Sequence, residues 1–339
     1  MQVDANSDRE CVSFPGVLGH ARARDMFARA LASNTLHHAT MLVGPRGVGK
    51  ATLARSIASV LVCSNGTGCA SCHACARVSS GNHPDVQWIV PEGAAGQIRA
   101  APARELQISL QHAPYEARAH VVIIDPADAL NEEASNILLK SIEEPRPNVS
   151  FFLITHNLHR LLPTIVSRCM PVRLGRLDDE HVGEILAHEA DDVVDEKRRA
   201  LAVRLADGSA GAALELAGDT SLDACLALLR LAVATTLPKA IFAGAASPFW
   251  QTWSESTAGA AKGKAARERA MASRMAELWL LELRERMRGR TGMLELAPAH
   301  DVPISQLVRR LEVIQRFHSA LEHNPNVRLA LEQLLLEVG

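Results

Sequence analysis

Aromatic side chains are scarce, at 4% of the 339 residues, so packing must rest on Ala, Leu, Val and Ile within a hydrophobic content of 47%. Net charge is nearly absent as well. The 36 basic and 38 acidic side chains leave a formal charge of −2, with the two signs interspersed. That balance argues against a broad, charge-driven coat of nucleic acid and leaves room only for a local basic face. No apolar run of roughly 18 residues occurs, so no membrane span is expected. Residues 1–10 are polar and acidic, without the apolar stretch of a signal peptide, and a cytoplasmic location is expected. In that compartment the seven cysteines read as thiols or metal ligands rather than disulfides. The length predicts about two to three domains.

What is present is an alternation of two periods. Five apolar or alternating segments, residues 39–43, 85–90, 120–125, 150–155 and 170–174, read as strands. Helix-period segments at 21–32, 50–61, 103–112 and 132–143 separate them. Strand and helix in turn imply a mostly parallel, doubly wound sheet with helices on both faces. Asn131 is placed to cap the helix that carries Glu132 and Glu133 in its first turn, and Pro145 and Pro147 stop it. After Leu174 only helical periodicity continues. The expected organisation is an α/β domain over 1–175, a small helical domain over 176–219 and a helical bundle over 220–339. The Ala/Gly/Lys-rich segment 258–266 reads as a loop or a helix start.

Two adjacent motifs carry the chemistry of a nucleotide site. Gly44-Pro45-Arg46-Gly47-Val48-Gly49-Lys50 follows a strand and opens a helix. This is the context in which backbone N–H groups and a helix N-terminus cradle phosphates. Gly44, Gly47 and Gly49 let the backbone approach, and Lys50 reaches the terminal phosphates. The next residue is Ala51 where a magnesium-ligating hydroxyl is usual. Thr52 comes one position late, about 100° further round the helix, and is expected to face elsewhere. Downstream, the buried run Val121-Val122-Ile123-Ile124 ends at Asp125, which is placed to orient magnesium. Pro126 stands where a glutamate would polarise the attacking water. Asp128 belongs to the following turn. The site is therefore degenerate: ATP or ADP binding stays open beside a relic loop that keeps only its shape, and self-sufficient hydrolysis is not expected.

Cys63, Cys69, Cys72 and Cys75 form C-x5-C-x2-C-x2-C within thirteen residues. Four thiolates suit tetrahedral zinc, with an iron–sulfur cluster as the rival, and Gly66, Gly68 and Ala70 give the loop room to turn. No open coordination position is implied, so a structural staple is expected. His73 and His83 read as surface or turn residues, and Cys11, Cys169 and Cys225 as isolated buried or incidental thiols.

Several further segments complete the pattern: Leu36-His37-His38-Ala39, His83-Pro84-Asp85, the run from Asn136 to Pro145, and Ser167-Arg168-Cys169. In this order, with the loop, the cysteines and Asp125-Pro126, they resemble the bacterial DNA polymerase III clamp-loader family of the AAA+ class. The resemblance covers the first 175 residues well and the remainder more loosely. It implies an AAA+ sheet domain, a helical lid and a C-terminal helical collar. Within that family the hydrolysing gamma/tau subunits carry Thr after the loop lysine, Glu after the Asp and a sensing Arg in a Gly-Ser-x-Arg turn. This chain has Ala51, Pro126 and, in Gly208-Ser209-Ala210-Gly211, Gly211, departures that match the delta-prime pattern.

Arg168 then acquires an implied role as an arginine finger acting in trans on ATP held by a neighbouring subunit. Its planar, permanently charged guanidinium suits bidentate contact with phosphate oxygens. Thr155-His156-Asn157 falls where the family places a polar sensor and is expected to be structural. The segment Asn324 to Leu336 resembles the family's last helix, with Leu329, Leu331, Leu334, Leu335 and Leu336 forming a broad apolar face. The resemblance implies a heteropentamer with one delta and three gamma or tau chains, which opens the sliding clamp on primed DNA and belongs to a DNA polymerase holoenzyme. No polymerase site and no complete ATPase site is present in the chain. The alternatives are an active gamma/tau-type ATPase, a zinc-dependent nucleic-acid-binding module, and an AAA+ assembly factor unrelated to replication.

Overall fold

The computed structural model describes residues 12–92, 96–190, 196–219, 222–234, 247–257, 263–287, 289, 303–321 and 326–338. Cys11, residues 258–262 of the Ala/Gly/Lys-rich segment, and Asn324 and Pro325 lie outside them. The chain divides into two compact units, Met1–Asp191 with Ala206–Ala213, and Asp192–Leu205 with Leu214–Gly339.

In the first unit the order is α1 Ala21–Ala32, β1 Ala39–Val43, α2 Lys50–Val62, α3 His73–Ser79, β2 Val86–Ile89, α4 Ala100–Ser109, β3 His120–Ile124, α5 Glu132–Glu143, β4 Val149–Thr155, α6 Pro163–Val166, β5 Met170–Arg173 and α7 Asp179–Glu189. The five strands form one sheet in the order β2-β3-β4-β1-β5, with every pairing parallel. Parallel strands need helical crossovers, and these bury the sheet on both faces. Successive residues therefore enter opposite cores. Leu42, Val121, Ile123, Phe152 and Ile154 pack on one side; Met41, Val43, Val122, Ile124, Phe151 and Leu153 pack on the other. The C-terminal ends of β1 and β3 deliver the phosphate loop and Asp125, where ligands bind open α/β sheets.

All five expected strands are present, as are the four expected helices, most within a residue of the expected bounds. Helix α4 both begins and ends three residues early, and Pro102 lies in its first turn, where its missing N–H would have no intrahelical partner in any case. Strand β2 begins after Asp85, although the Asp85 carbonyl already accepts Val121 N–H at 2.8 Å. Helix α3 is an element that periodicity did not reveal: seven residues inside the cysteine insertion. The Asn131 cap is as expected, with Oδ1 accepting Ala134 N–H at 2.8 Å.

The second unit is helical, as expected from the change of period. It comprises α8 Glu196–Leu205, part of α9 Ala210–Gly218, and α10 Leu222–Ala234, α11 Pro248–Ser256, α12 Lys264–Met287, α13 Ile304–Leu321 and α14 Val327–Val338. Gly263 and Lys264 to Ala266 open α12, so that part of the 258–266 segment is a helix start. Three aromatics meet here: Phe249, Trp250 and Trp253 form a buried cluster, and the Arg328 guanidinium lies 4.6 Å from the Trp250 ring centroid. On α14, Leu331, Leu334 and Leu335 are buried, whereas Leu329 and Leu336 are more than half exposed. Among the described residues no helix is long and apolar enough to cross a membrane.

Candidate functional site

The phosphate loop leaves β1 and runs into α2. Gly44 N–H donates to the Thr155 carbonyl at 3.2 Å, which ties the loop's start to the end of β4. Gly49, at φ 95°, forms the N-cap of α2, and Lys50 is its first residue. Lys50 is buried, and its Nζ donates to the carbonyls of Gly44 at 2.8 Å and Pro45 at 2.5 Å. Burial pulls its pKa down, against the opposing pull of Asp125 and Asp128, and Arg46 lowers it further. The Asp125 carboxyl is pushed up by burial and by Asp128, with Lys50 and Arg55 acting in the other direction. Lysine and acid thus share one electrostatic environment. Ala51 packs against the core, and Thr52 is exposed.

Pro126 leads into a short 3-10 turn, Ala127–Ala129. The Asp128 side chain is buried in that turn: Oδ1 accepts from Thr155 Oγ1 at 2.8 Å and His156 N–H at 3.4 Å, and lies 3.3 Å from His156 Nδ1. His156 Nε2 in turn meets Arg46 Nη2 at 3.4 Å. Asn157 Oδ1 accepts His159 N–H at 3.1 Å. The Gly208–Gly211 turn lies directly on the loop. Ser209 Oγ donates to the Arg46 carbonyl at 3.0 Å, and Gly211 N–H to the Gly47 carbonyl at 2.9 Å. A Cβ on Gly211 would sit 2.9 Å from Gly47 Cα, and Gly47 has φ 70°. A side chain at the position of the sensing arginine would therefore meet the loop backbone. His20, which sequence reasoning passed over, also holds the loop: its Nε2 is 2.7 Å from the Val48 carbonyl.

The four cysteines converge at the other end of α2. Their sulfurs all lie within 4.8 Å of one another, with Cys63–Cys69 at 3.7 Å and Cys63–Cys72 at 3.9 Å. A tetrahedron with Zn–S bonds of about 2.3 Å has S···S edges of about 3.8 Å, so the arrangement fits zinc. Burial pushes the Cys63 thiol up, but backbone contacts from Cys69, Thr67, Asn65 and Gly68 outweigh it and bring it down to about 5. The Cys72 thiol is lowered chiefly by Cys75 N–H, which reaches Cys72 Sγ at 3.5 Å and makes Cys72 the N-cap of α3. Burial raises the Cys75 thiol. Cys169 and Cys225 are buried and apart from this cluster, each thiol pushed up to about 12 by burial.

His73 is exposed, but His83 is buried, contrary to a surface placement; it does lie in a turn, where Nδ1 accepts Asp85 N–H at 3.1 Å. Two residues on, Asp85 is an anchor whose importance the sequence pattern did not reveal. Its carboxylate accepts the backbone N–H groups of Tyr115 at 2.6 Å, Glu116 at 2.9 Å and Ala117 at 2.8 Å. Burial alone would raise the Asp85 carboxyl, but these three donors hold it below its ordinary value. Arg77 of α3 binds Glu116 at 2.9 and 3.1 Å, which joins the cysteine insertion to the same loop. An Asp following His-Pro at the start of an expected strand was the available signal.

Arg168 follows α6 at the surface. Its Nη1 donates to the Thr164 carbonyl at 3.1 Å and Ser167 Oγ at 3.4 Å, and Nη2 pairs with Glu143 Oε1 at 2.7 Å. The side chain is 40% exposed, away from the buried Cys169.

Residues 19–178 match the family described as DNA polymerase III, delta subunit. The chain is 36% identical over 179 residues to DNA polymerase III subunit tau/gamma of Haemophilus influenzae, covering 52% of this chain and 26% of that protein. It is 40% identical over 136 residues to subunit delta' of Pseudomonas aeruginosa, covering 39% of this chain and 42% of that protein. A solved gamma subunit-related protein of Thermotoga maritima is similar over 92% of this chain and 98% of its own, at 17% identity and a TM-score of 0.49. The curated relatives are matched over 26% to 51% of their own length. The fold is α/β, a five-stranded parallel sheet with helices followed by a helical C-terminal region. Over residues 19–178 and the segments matched to these relatives, the chain is similar to DNA polymerase III clamp-loader subunits.

Proposed function

We propose that this chain is a non-hydrolysing, delta-prime-type clamp-loader subunit that supplies Arg168 to ATP held by an adjacent subunit. Its partners are then gamma/tau and delta subunits in a heteropentamer, which opens the sliding clamp and places it on primed DNA. The carrying observation is the contrast between an exposed, hydrogen-bonded Arg168 and a loop whose own site has Pro126 and a turn-bound Asp128. As charge develops on the transferred phosphoryl group, the guanidinium stabilises it from outside the hydrolysing subunit. Arg168→Ala is expected to leave folding and assembly intact while lowering the DNA-stimulated ATPase of the reconstituted complex. At the site it serves, a finger can contribute about 10³–10⁵ in rate. Unchanged turnover in that variant would remove the assignment.

Cys63, Cys69, Cys72 and Cys75 would hold a structural zinc, whose charge gathers the four thiolates and fixes the insertion. A second reading, an active gamma/tau-type ATPase, is favoured by the 36% identity to a tau/gamma subunit and by the retained Lys50 and Asp125. ATP turnover by the isolated chain, abolished in Lys50→Ala, would establish it instead.

A further inference from the structure

Glu143 is the last residue of α5 and Glu144 its C-cap. Carboxylates are disfavoured there, because the helix carries partial negative charge at its C-terminus. Lys140 is the only basic residue of that last turn. Glu143 reaches across to Arg168 of the segment after α6, at 2.7 Å, and Thr164 and Ser167 hold the other terminal nitrogen. Both terminal nitrogens of the guanidinium are thereby engaged within the chain. These contacts use up to three of the five N–H donors and fix the direction of the guanidinium plane, so re-aiming it at a phosphate oxygen on another chain competes with them. Of the three partners, the carboxylate alone competes with phosphate by charge.

We infer that Glu143 is a latch on Arg168, an intrachain carboxylate that restrains the guanidinium until the phosphate of a neighbouring subunit displaces it. The inference rests on the reading of Arg168 as a finger and adds its regulation. Because the pair is partly exposed, at 40% and 36%, the restraint is modest. Its release is worth about two- to fivefold in rate.

The test uses the full chain reconstituted with tau/gamma and delta subunits, clamp and primed DNA, comparing Glu143→Gln, Arg168→Ala and the double variant. Glu143→Gln is expected to raise kcat/KM for ATP about two- to fivefold, by an amount that shrinks as salt is added. In the Arg168→Ala background the same change should have no effect. If Arg168→Ala lowers turnover but Glu143→Gln leaves kcat/KM unchanged or lowers it, the latch is wrong and the finger stands. A gain that persists without Arg168 also overturns the latch, since it would come from relief of the α5 terminus. If Arg168→Ala itself changes nothing, the finger fails and the latch with it. Thermal melting of each isolated variant checks that none has lost its fold.

Discussion

Helix α2 has a candidate site at each end, and the two have kept different things. At its start the phosphate loop retains its glycines, Lys50 and Asp125, yet Ala51, Pro126 and Gly211 stand where a working ATPase has reacting or sensing groups. At its end the cysteine cluster retains all four donors, with sulfur spacings that suit one ion. The difference follows from how each structure is held. A four-ligand metal site would need every ligand, because the ion would be what gathers the loop. The phosphate loop is satisfied internally: Lys50 binds its own loop carbonyls, and Gly211 and Ser209 bind the far side. It can lose chemistry residue by residue and keep its shape.

The largest effect that could break this comparison lies at the cysteine end. Cys72→Ala removes a ligand and the N-cap of α3 together, and is expected to lower metal affinity by more than about 100-fold. Elemental analysis after dialysis, with proteolysis of the insertion, measures it; full metal retention would mean the cluster is not a four-ligand site. In the unaltered chain, metal should be released as pH falls, because protons compete for the thiolates, with Cys63, at about 5, the thiol favoured as thiolate.

Next comes Asp85→Asn, which turns an NH2 group towards backbone donors beside the same insertion. A loss of about 3 kcal/mol in denaturant stability is expected. The folded carboxyl is held below its ordinary value, so its stabilising contribution is complete above the unfolded value of about 4 and disappears as pH falls through the folded one. The unaltered chain should lose this increment below about pH 4, and Asp85→Asn should not.

At the loop end the effects should be smaller. Lys50→Ala leaves the Gly44 and Pro45 carbonyls without their partner, for about 1–2 kcal/mol, and the isolated chain should show no ATP turnover to lose. A turnover that the variant abolishes would make the loop a live site and collapse the contrast. Asn131→Ala, removing the cap of α5, should cost about 1 kcal/mol without altering metal content.

Much of this was legible beforehand, for identifiable reasons. The strands could be read because burial on both faces demands continuous apolar runs such as Val121 to Ile124. Helix α5 could be placed to the residue because Asn131 and the prolines after it mark both ends. Helix α3 escaped because seven residues with a cysteine cap show too little periodicity. Asp85 escaped as an anchor because its three donors come from residues 115–117, some thirty positions away. The burial of His83, read as a surface or turn residue, escaped for the same reason: it lies in a turn, but what folds over it comes from elsewhere in the chain.

The sequence by itself determined the order of strand and helix, the proline that follows Asp125, and the four-cysteine set, since each is a matter of residue type and spacing along one chain. Only the tertiary structure decided that Asp128 is bound into a turn, that Gly211 rests on the loop backbone, and that Glu143 holds Arg168. Those contacts join segments far apart in the chain, and their geometry exists only once the sheet has brought its strand ends together.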